Sequence, residues 1–196
     1  MIQKVFQFVT GQGRNANDAS ASSQKRSKRR PFQPCWVLPE RLAVGRLPRE
    51  GEDVVLEEQG FNSVLSLCAP QEGEVPATIK ENFRWEYFFL PDSHYKEEIK
   101  ISQLDLVVKL VHDLIKNHGP LYVHCLAGQE RSIVTCMAYL CTYHGLDPWG
   151  ALMYIKKVRP QAAPTGSQMR VLQEFVRQLQ RQKGKAIGDD VPEPQM

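Results

Sequence analysis

A chain of 196 residues, 42% of them hydrophobic, is long enough for one domain with a substantial core and too short to expect two. No apolar run approaches the roughly 20 residues that span a bilayer, and the first residues lack the pattern of a secretory signal. We therefore expect a soluble intracellular protein, cytoplasmic unless its N-terminal segment directs it to the nucleus or an organelle. Residues 1–30 hold seven Lys and Arg and one Asp, a net +6, so the total of +3 leaves −3 on the remainder.

The N-terminal segment is polar, small and basic. Residues 11–30 read GQGRNANDASASSQKRSKRR, a composition that cannot bury enough apolar surface to offset the entropy of ordering it. We predict a disordered basic tail over 1–33, a folded domain over 34–183 and a flexible tail over 184–196. The run KRSKRR could contact an anionic surface or nucleic acid, act as a targeting or transit signal, or only keep the chain in solution.

The first half of the folded domain alternates short strands and helices. The predicted elements, in chain order, are a strand pair or strand and turn in WVLPERLAVGRLP, a short helix in EDVVLEEQG, a buried strand in FNSVLSLCAP, a helical segment in PATIKEN and an aromatic strand in FRWEYFFLPD. Gly60, Pro70 and Pro91 mark the ends of three of these segments.

The second half is dominated by helices. Apolar residues recur at helical spacing from Ile101 to Asn117, and Gly119-Pro120 ends that helix before the short buried strand LYVHC. Three more helices are predicted, over Ser132–His144, Pro148–Val158 and Ser167–Gln182. This order predicts an α/β fold with a mostly parallel central sheet flanked by helices on both sides.

The loop after LYVHC carries the pattern that points to chemistry. In such sheets ligands bind at the carboxyl ends of strands, where the next helix presents free backbone N–H groups, and Cys125 lies at that point. Gly128 allows a tight turn from Cys125 to Arg131, so the N–H groups of residues 126–131 can form an anion cradle. Arg131 can grip a tetrahedral oxyanion through two parallel hydrogen bonds. The same field favours the thiolate of Cys125, a nucleophile aimed at a bound phosphate.

The nonapeptide HCLAGQERS, residues 124–132, resembles the His-Cys-x5-Arg-Ser signature of the cysteine-dependent protein tyrosine phosphatases. The compact chain is most similar to their dual-specificity branch, over about residues 34–182. The resemblance implies a protein tyrosine phosphatase-like fold, a phosphocysteine intermediate and no metal or cofactor. We further expect a monomer.

The resemblance also implies a role for each site residue. Cys125 would be the nucleophile, and Arg131 would bind phosphate together with the loop. Asp92, which lies 33 positions before Cys125, would be the general acid and then the general base. Ser132 would ease departure of the thiolate, and His124 would fix the loop. The phosphate-binding and water-positioning residues implied are Leu126, Ala127, Gly128, Gln129, Glu130 and, for water, Gln168.

Each of these roles has a simpler alternative. Ser132 could only cap the helix, His124 could only pack, and Gln168 could be ordinary helix surface. The remaining histidines are read as surface or packing residues: His94, His112, His118 and His144. A second Cys-x5-Arg match, Cys35 to Arg41, lacks glycine and has Pro39 where a cradle needs an N–H donor, so we reject it as a phosphate site.

The chain departs from the family pattern in the loop and near its end. Leu126, Gln129 and Glu130 stand where members acting on inositol lipids often carry lysines, and an acidic residue beside Arg131 disfavours highly charged ligands. After Arg159-Pro160, Thr165 takes a place where many dual-specificity members have Asn. This departure bears on how the loop is supported, whereas every residue of the signature itself is present.

The leading hypothesis is a metal-independent phosphatase acting on phosphotyrosine, and on phosphoserine or phosphothreonine as a further option, with a phosphorylated protein as partner. Three alternatives stay open. The substrate could be a lipid, RNA, nucleotide or sugar phosphate; the chain could bind phosphoproteins with little turnover; or the thiolate could serve redox or sulfur-transfer chemistry.

The five cysteines include no CxxC pair, so we expect reduced thiols and no structural metal. Cys68 could form a reversible disulfide with Cys125.

Overall fold

The computed structural model describes residues 31–188. Residues 1–30 of the predicted tail over 1–33, including KRSKRR, and residues 189–196 of the predicted C-terminal tail lie outside the described residues. No helix within 31–188 is long and apolar enough to cross a membrane.

A five-stranded sheet organises the domain, with strand order β1-β2-β5-β3-β4. The strands are β1 Cys35–Leu38, β2 Leu42–Arg46, β3 Ser63–Ser66, β4 Arg84–Tyr87 and β5 Leu121–Cys125. Only β1 runs antiparallel to its neighbour, while β2, β5, β3 and β4 are parallel. The carboxyl ends of four strands therefore meet at one edge of the sheet.

Six α-helices and one 3-10 turn complete the described part of the chain. They are α1 Asp53–Glu58, a 3-10 turn Pro70–Glu72, α2 Ala77–Asn82, α3 Ile101–His118, α4 Arg131–Tyr143, α5 Pro148–Val158 and α6 Gly166–Gly188. The helix α4 packs against α3, α5 and α6 on one face of the sheet. The mixed α/β class, with a mostly parallel sheet flanked by helices on both sides, is confirmed.

The alternation of side chains along the central strands separates two cores. Leu121 and Val123 of β5 lie in the larger core under α3 to α6, whereas Tyr122 points to the opposite side. The smaller core contains Tyr122, Phe61 and residues of α1 and α2. Because β5 is covered on both faces, all five of its residues are buried, and the loop that follows it is anchored on a rigid strand.

Ordered structure extends past both predicted boundaries of the folded domain, which were residues 34 and 183. Phe32, assigned to the tail, is buried, packs edge-on against Tyr122 at 5.7 Å and has the Arg46 guanidinium 5.0 Å above its ring. At the other end α6 continues to Gly188, beyond the predicted helix end at Gln182 and the predicted domain end at 183, because no proline interrupts the helical sequence before Pro192. The observed strand β4, Arg84–Tyr87, is shorter than the strand predicted in residues 83–92, because regular pairing with β3 ends at Tyr87.

Candidate active site

The loop between β5 and α4 occupies the carboxyl edge of the sheet. It contains Gly128 with φ +65, a conformation that side chains disfavour. A Cβ atom at this position would lie 2.3 Å from the carbonyl of Gly45 on β2. Glycine is therefore required both by backbone angle and by the closeness of the neighbouring strand.

Arg159 and Ala163, which both follow α5, bind the carbonyl groups on the outer side of the loop. Arg159 is buried and donates from its Nη2 to the carbonyl of Ala127 at 3.0 Å and from its Nε to the carbonyl of Gly128. The backbone N–H of Ala163 donates to the carbonyl of Gln129 at 2.8 Å. These contacts fix the loop carbonyls on its outer side.

The loop N–H groups, by contrast, have no acceptor among residues 31–188. On the other flank Leu47 donates its N–H to the carbonyl of Leu126 at 3.2 Å. With the carbonyls engaged outside the loop, the backbone N–H groups of residues 126–131 donate to nothing in the described part of the chain. A ring of free N–H donors at a helix N-terminus is an anion-binding arrangement.

Cys125 lies at the base of this loop and is 2% exposed. Its Sγ is 3.3 Å from Oγ of Ser132, which is itself buried in the first turn of α4. The thiol therefore faces a hydroxyl group and the N-terminus of a helix, both of which stabilise negative charge on sulfur.

Arg131 is oriented by carboxylates on two other segments. Its Nη1 and Nη2 donate to the two carboxylate oxygens of Glu72 at 3.0 and 2.6 Å, and Nη2 also donates to Oδ2 of Asp92 at 3.1 Å. Burial lowers the pKa of Arg131, but the hydrogen bonds to Glu72 and the nearby charges of Cys125, Cys68 and Glu72 together raise it above its ordinary value. Its Nε–H is buried without an acceptor among the described residues, which leaves one donor for an oxyanion.

The segment after β4 contacts the loop end through Asp92 and Ser93, and the 3-10 turn Pro70–Glu72 through Tyr95. Beside the bond from Arg131 to Asp92, Oγ of Ser93 donates to Oε1 of Glu130 at 3.2 Å. The hydroxyl of Tyr95 donates to Oε1 of Glu72 at 3.1 Å. Asp92, which the sequence predicted as the general acid, thus lies beside the end of the loop between β5 and α4.

His124 belongs to a buried hydrogen-bond chain. Its Nε2 lies 2.7 Å from Oγ of Ser66, which accepts a hydrogen bond from Nε1 of Trp85 at 2.8 Å. Burial lowers the pKa of His124 to about 3, so the imidazole is neutral near pH 7 and can accept the Ser66 hydroxyl proton. This chain connects β5 to β3 and β4 directly before Cys125.

Gln168 lies in a capping box at the start of α6. Its Oε1 accepts from the backbone N–H of Thr165 at 3.0 Å, and its own N–H donates to Oγ1 of Thr165 at 3.2 Å. Thr165, at the position where many dual-specificity members have Asn, therefore caps the start of α6. The predicted role of Gln168 in positioning water stays a prediction.

Cys68 lies just after β3, next to the strand that carries Cys125. Leu67 donates its N–H to the carbonyl of His124 at 3.0 Å, which fixes this neighbourhood. Burial raises the pKa of Cys68 to about 12, so its thiol is protonated at neutral pH. The disulfide stays a prediction, and the five cysteines are free thiols here.

The rejected Cys-x5-Arg copy has another structure. Cys35 begins β1, and Arg41 lies in the turn before β2, so no helix follows the motif. The Cys35 Sγ accepts a hydrogen bond from Nη1 of Arg159 at 3.5 Å.

No three His, Cys, Asp or Glu side chains in residues 31–188 are grouped as metal ligands.

A cavity of about 350 Å³ opens at the site and is lined by Glu72, Asp92, His94, Tyr95 and Leu126. Cys125, Arg131 and Asp92 were predicted from the sequence as site residues, whereas Glu72, Arg159 and the position of His94 at the cavity were not. No local pattern marks Glu72, because its partner lies 59 positions away. Arg159 is distinguished by being a buried cation directly after a helix, and this burial is known only from the structure.

Comparison with known proteins agrees with this geometry. A model of the dual specificity phosphatase catalytic domain matches residues 49–178. Dual specificity protein phosphatase 14 of Mus musculus is 34% identical over 141 residues, which cover 70% of this chain and 67% of that protein. A strand-loop-helix site of this kind, within this fold, defines the class of cysteine-dependent phosphatases. The chain belongs to the dual specificity phosphatase family.

Two further similarities involve proteins of another substrate class. Phosphatidylglycerophosphate phosphatase PTPMT2 of Arabidopsis thaliana is 27% identical over 140 residues, covering 71% of this chain and 61% of that protein. The chain therefore spans less than two thirds of that relative. The crystal structure of PTPMT1 in complex with PI(5)P superposes with a TM-score of 0.65 at 21% identity, covering 74% of this chain and 95% of that one. This likeness supports the fold.

Proposed function

We propose that the protein hydrolyses phosphomonoesters through a phosphocysteine intermediate, with phosphotyrosine in proteins as the leading substrate and phosphoserine or phosphothreonine as further ones. The observation that carries the proposal is the set of unused donors around Cys125. The buried Nε–H of Arg131 and the N–H groups of residues 126–131 have no acceptor in the described residues. They surround the buried thiol of Cys125 at the carboxyl edge of the sheet.

In the proposed first step, the thiolate of Cys125 attacks phosphorus and the bond to the leaving oxygen breaks. Arg131 and the loop N–H groups stabilise the charge on the equatorial oxygens. Asp92 donates its proton to the leaving oxygen. The reaction yields a phosphocysteine and the free alcohol or phenol.

In the second step, Asp92 removes a proton from water, which attacks phosphorus and releases phosphate and the Cys125 thiolate. Ser132, at 3.3 Å from the sulfur, donates to the departing thiolate. His124 holds the strand end through Ser66 and transfers no proton, since its neutral form is buried away from the reacting atoms.

The charges around the cavity support a substrate with one phosphate. Arg131 is surrounded by the carboxylates of Glu72 and Asp92, and Glu130 lies in the loop itself. Additional phosphates on a ligand would meet this negative charge. Leu126, 43% exposed, and Tyr95 offer apolar contact to a phenyl ring in the cavity.

A second candidate substrate is a lipid phosphomonoester. The similarity to the phosphatidylglycerophosphate phosphatase PTPMT2 favours it over other non-protein phosphates. The loop would bind the terminal phosphomonoester of such a lipid, whereas its phosphodiester, which carries a single negative charge, would lie outside the loop. Initial rates on a phosphotyrosine peptide, a phosphoserine peptide and phosphatidylglycerophosphate in mixed micelles separate the two candidates.

The test of the mechanism is steady-state hydrolysis of para-nitrophenyl phosphate with a chelator present. We expect Cys125→Ser to abolish turnover and Asp92→Ala to lower kcat roughly 100-fold or more, because each removes a group that forms or breaks a bond. Glu174→Gln, in an exposed pair with Arg177 on α6, serves as the matched control. Activity that survives Cys125→Ser would overturn the proposal, and an inactive wild type that binds phosphopeptide would indicate a binding module.

A further inference from the structure

Helix α5 presents an apolar and basic ridge to solvent. Its buried residues Ala151, Leu152 and Ile155 pack into the domain. Trp149, Met153 and Lys157 follow one another at intervals of four residues and so lie in one row on the outward face. Trp149 and Met153 are 58% and 61% exposed, unusual values for large apolar side chains.

The neighbours of this row extend the same character. Tyr154 and Val158 are exposed apolar residues, and Lys156 lies exposed beside Lys157. The helix sequence PWGALMYIKKV contains no acidic residue. The surface formed by Trp149, Met153, Tyr154, Lys156 and Lys157, here called the α5 ridge, is therefore apolar with a net positive charge.

We propose that the α5 ridge docks on an anionic lipid surface. Trp and Tyr rings favour the boundary between lipid chains and headgroups because they combine an apolar body with a polar group. Lysines at the end of the ridge can extend along the surface and meet negative headgroups. A surface helix with this composition lies in the plane of the membrane with its apolar side chains inserted.

The position of α5 relates this docking to the candidate active site. Arg159, directly after the helix, donates to the carbonyls of Ala127 and Gly128 in the phosphate-binding loop. The basic end of the ridge therefore lies at the loop end of the domain. Docking through the α5 ridge would bring that end of the molecule to the lipid surface. The inference concerns binding alone and does not rest on the proposed function.

The test is co-sedimentation of the full chain with vesicles of phosphatidylcholine alone or of equimolar phosphatidylcholine and phosphatidylglycerol. We expect binding to the anionic vesicles only, weakened by high salt. Trp149→Ser with Met153→Ser should weaken binding about tenfold or more, and Lys156→Glu with Lys157→Glu at least about fivefold for each lysine. Leu106→Ser, which alters a 55% exposed leucine on α3, is the matched control.

A second readout reports on Trp149 directly. Insertion should shift tryptophan emission to shorter wavelength, and Trp149→Phe should remove the shift, since Trp36 is stacked on Phe61 and Trp85 bonds to Ser66. Hydrolysis of para-nitrophenyl phosphate should be unchanged in all α5 variants, which also verifies folding.

The basic residues Lys25, Arg26, Lys28, Arg29 and Arg30 could bind the same vesicles, so a variant with these five changed to Ser is included. The proposal is overturned if the chain binds no vesicle, if the α5 variants bind like wild type, or if only the variant of residues 25–30 loses binding. Absence of vesicle binding would leave an acidic protein as the partner to seek.

Discussion

Among single residues, Glu72 has the largest influence on the geometry of Arg131. The two side chains form a bidentate pair and are 10% and 2% exposed. Tyr95 donates to the same carboxylate, so Glu72 also touches the segment that carries Asp92. A guanidinium that is buried and held in this way is pre-organised for an oxyanion at its remaining Nε–H.

We expect Glu72→Ala to lower both stability and activity, because it leaves the buried charge of Arg131 with fewer partners. The free energy of unfolding should fall by about 3 kcal/mol, and kcat/KM for para-nitrophenyl phosphate should fall roughly 10- to 100-fold as Arg131 loses its alignment. Urea denaturation and steady-state kinetics measure the two effects. Glu72→Gln, which keeps one acceptor, should lie between Glu72→Ala and wild type; wild-type kinetics in both variants would contradict this role.

Among the secondary-structure elements, α6 begins with the capping box of Thr165 and Gln168. The Thr165 side chain accepts from the backbone N–H of Gln168 in the first turn, and the Gln168 side chain accepts from the backbone N–H of Thr165 directly before the helix. A cap of this kind contributes about 1 kcal/mol. Because α6 packs against α3 and α4, weakening its first turn should affect the stability of the whole domain.

We expect Thr165→Ala and Gln168→Ala to lower the free energy of unfolding by similar amounts, about 1 kcal/mol each. If Gln168 acts only in the cap, the two variants should also have the same kcat. Rapid-mixing kinetics with para-nitrophenyl phosphate provide the distinction. A burst of para-nitrophenol followed by slow turnover in Gln168→Ala alone would assign this residue to hydrolysis of the phosphocysteine.

At the scale of the whole molecule, the buried His124 makes stability depend on pH. An exposed histidine titrates near 6.5, whereas burial lowers the pKa of His124 to about 3. Above pH 6.5 neither the folded nor the unfolded chain protonates this residue. As the pH falls below 6.5, the unfolded chain takes up a proton that the folded chain does not, so stability is lost progressively until about pH 3.

We therefore expect the stability of the wild type to fall between pH 6.5 and 5, with a contribution from His124 of up to about 1.4 kcal/mol per pH unit. His124→Asn, which cannot titrate, should be less stable at pH 7.5 but lose less stability on acidification. Urea denaturation at several pH values gives both slopes. Equal slopes in the two proteins would show that His124 does not cause the pH dependence.

Much of the fold followed from local patterns along the chain. The helical spacing of apolar residues predicted α3 within one residue of its end, and the bounds of α5 agreed at both ends. The run LYVHC gave β5, because a strand covered on both faces is continuously apolar. Gly128, Cys125 and Arg131 identified the loop, since all three lie within seven residues and their chemistry depends on one turn.

The remaining features depend on residues distant in sequence. Glu72 lies 59 positions from its partner Arg131, and Arg159 lies 31 positions from its partner Gly128. No local sequence pattern at either residue predicts which residue it contacts. Phe32 looked like tail because its neighbours are polar and basic, yet it packs on Tyr122.

The sequence by itself determined the period of each element and the chemistry of the loop, because both follow from residues that are neighbours along the chain. Only the tertiary structure decided which carboxylate orients Arg131, which cation supports the loop and where the domain begins. These features arise when the sheet and helices bury charges and apolar groups together, so each buried group must take its partner from whatever segment packs beside it.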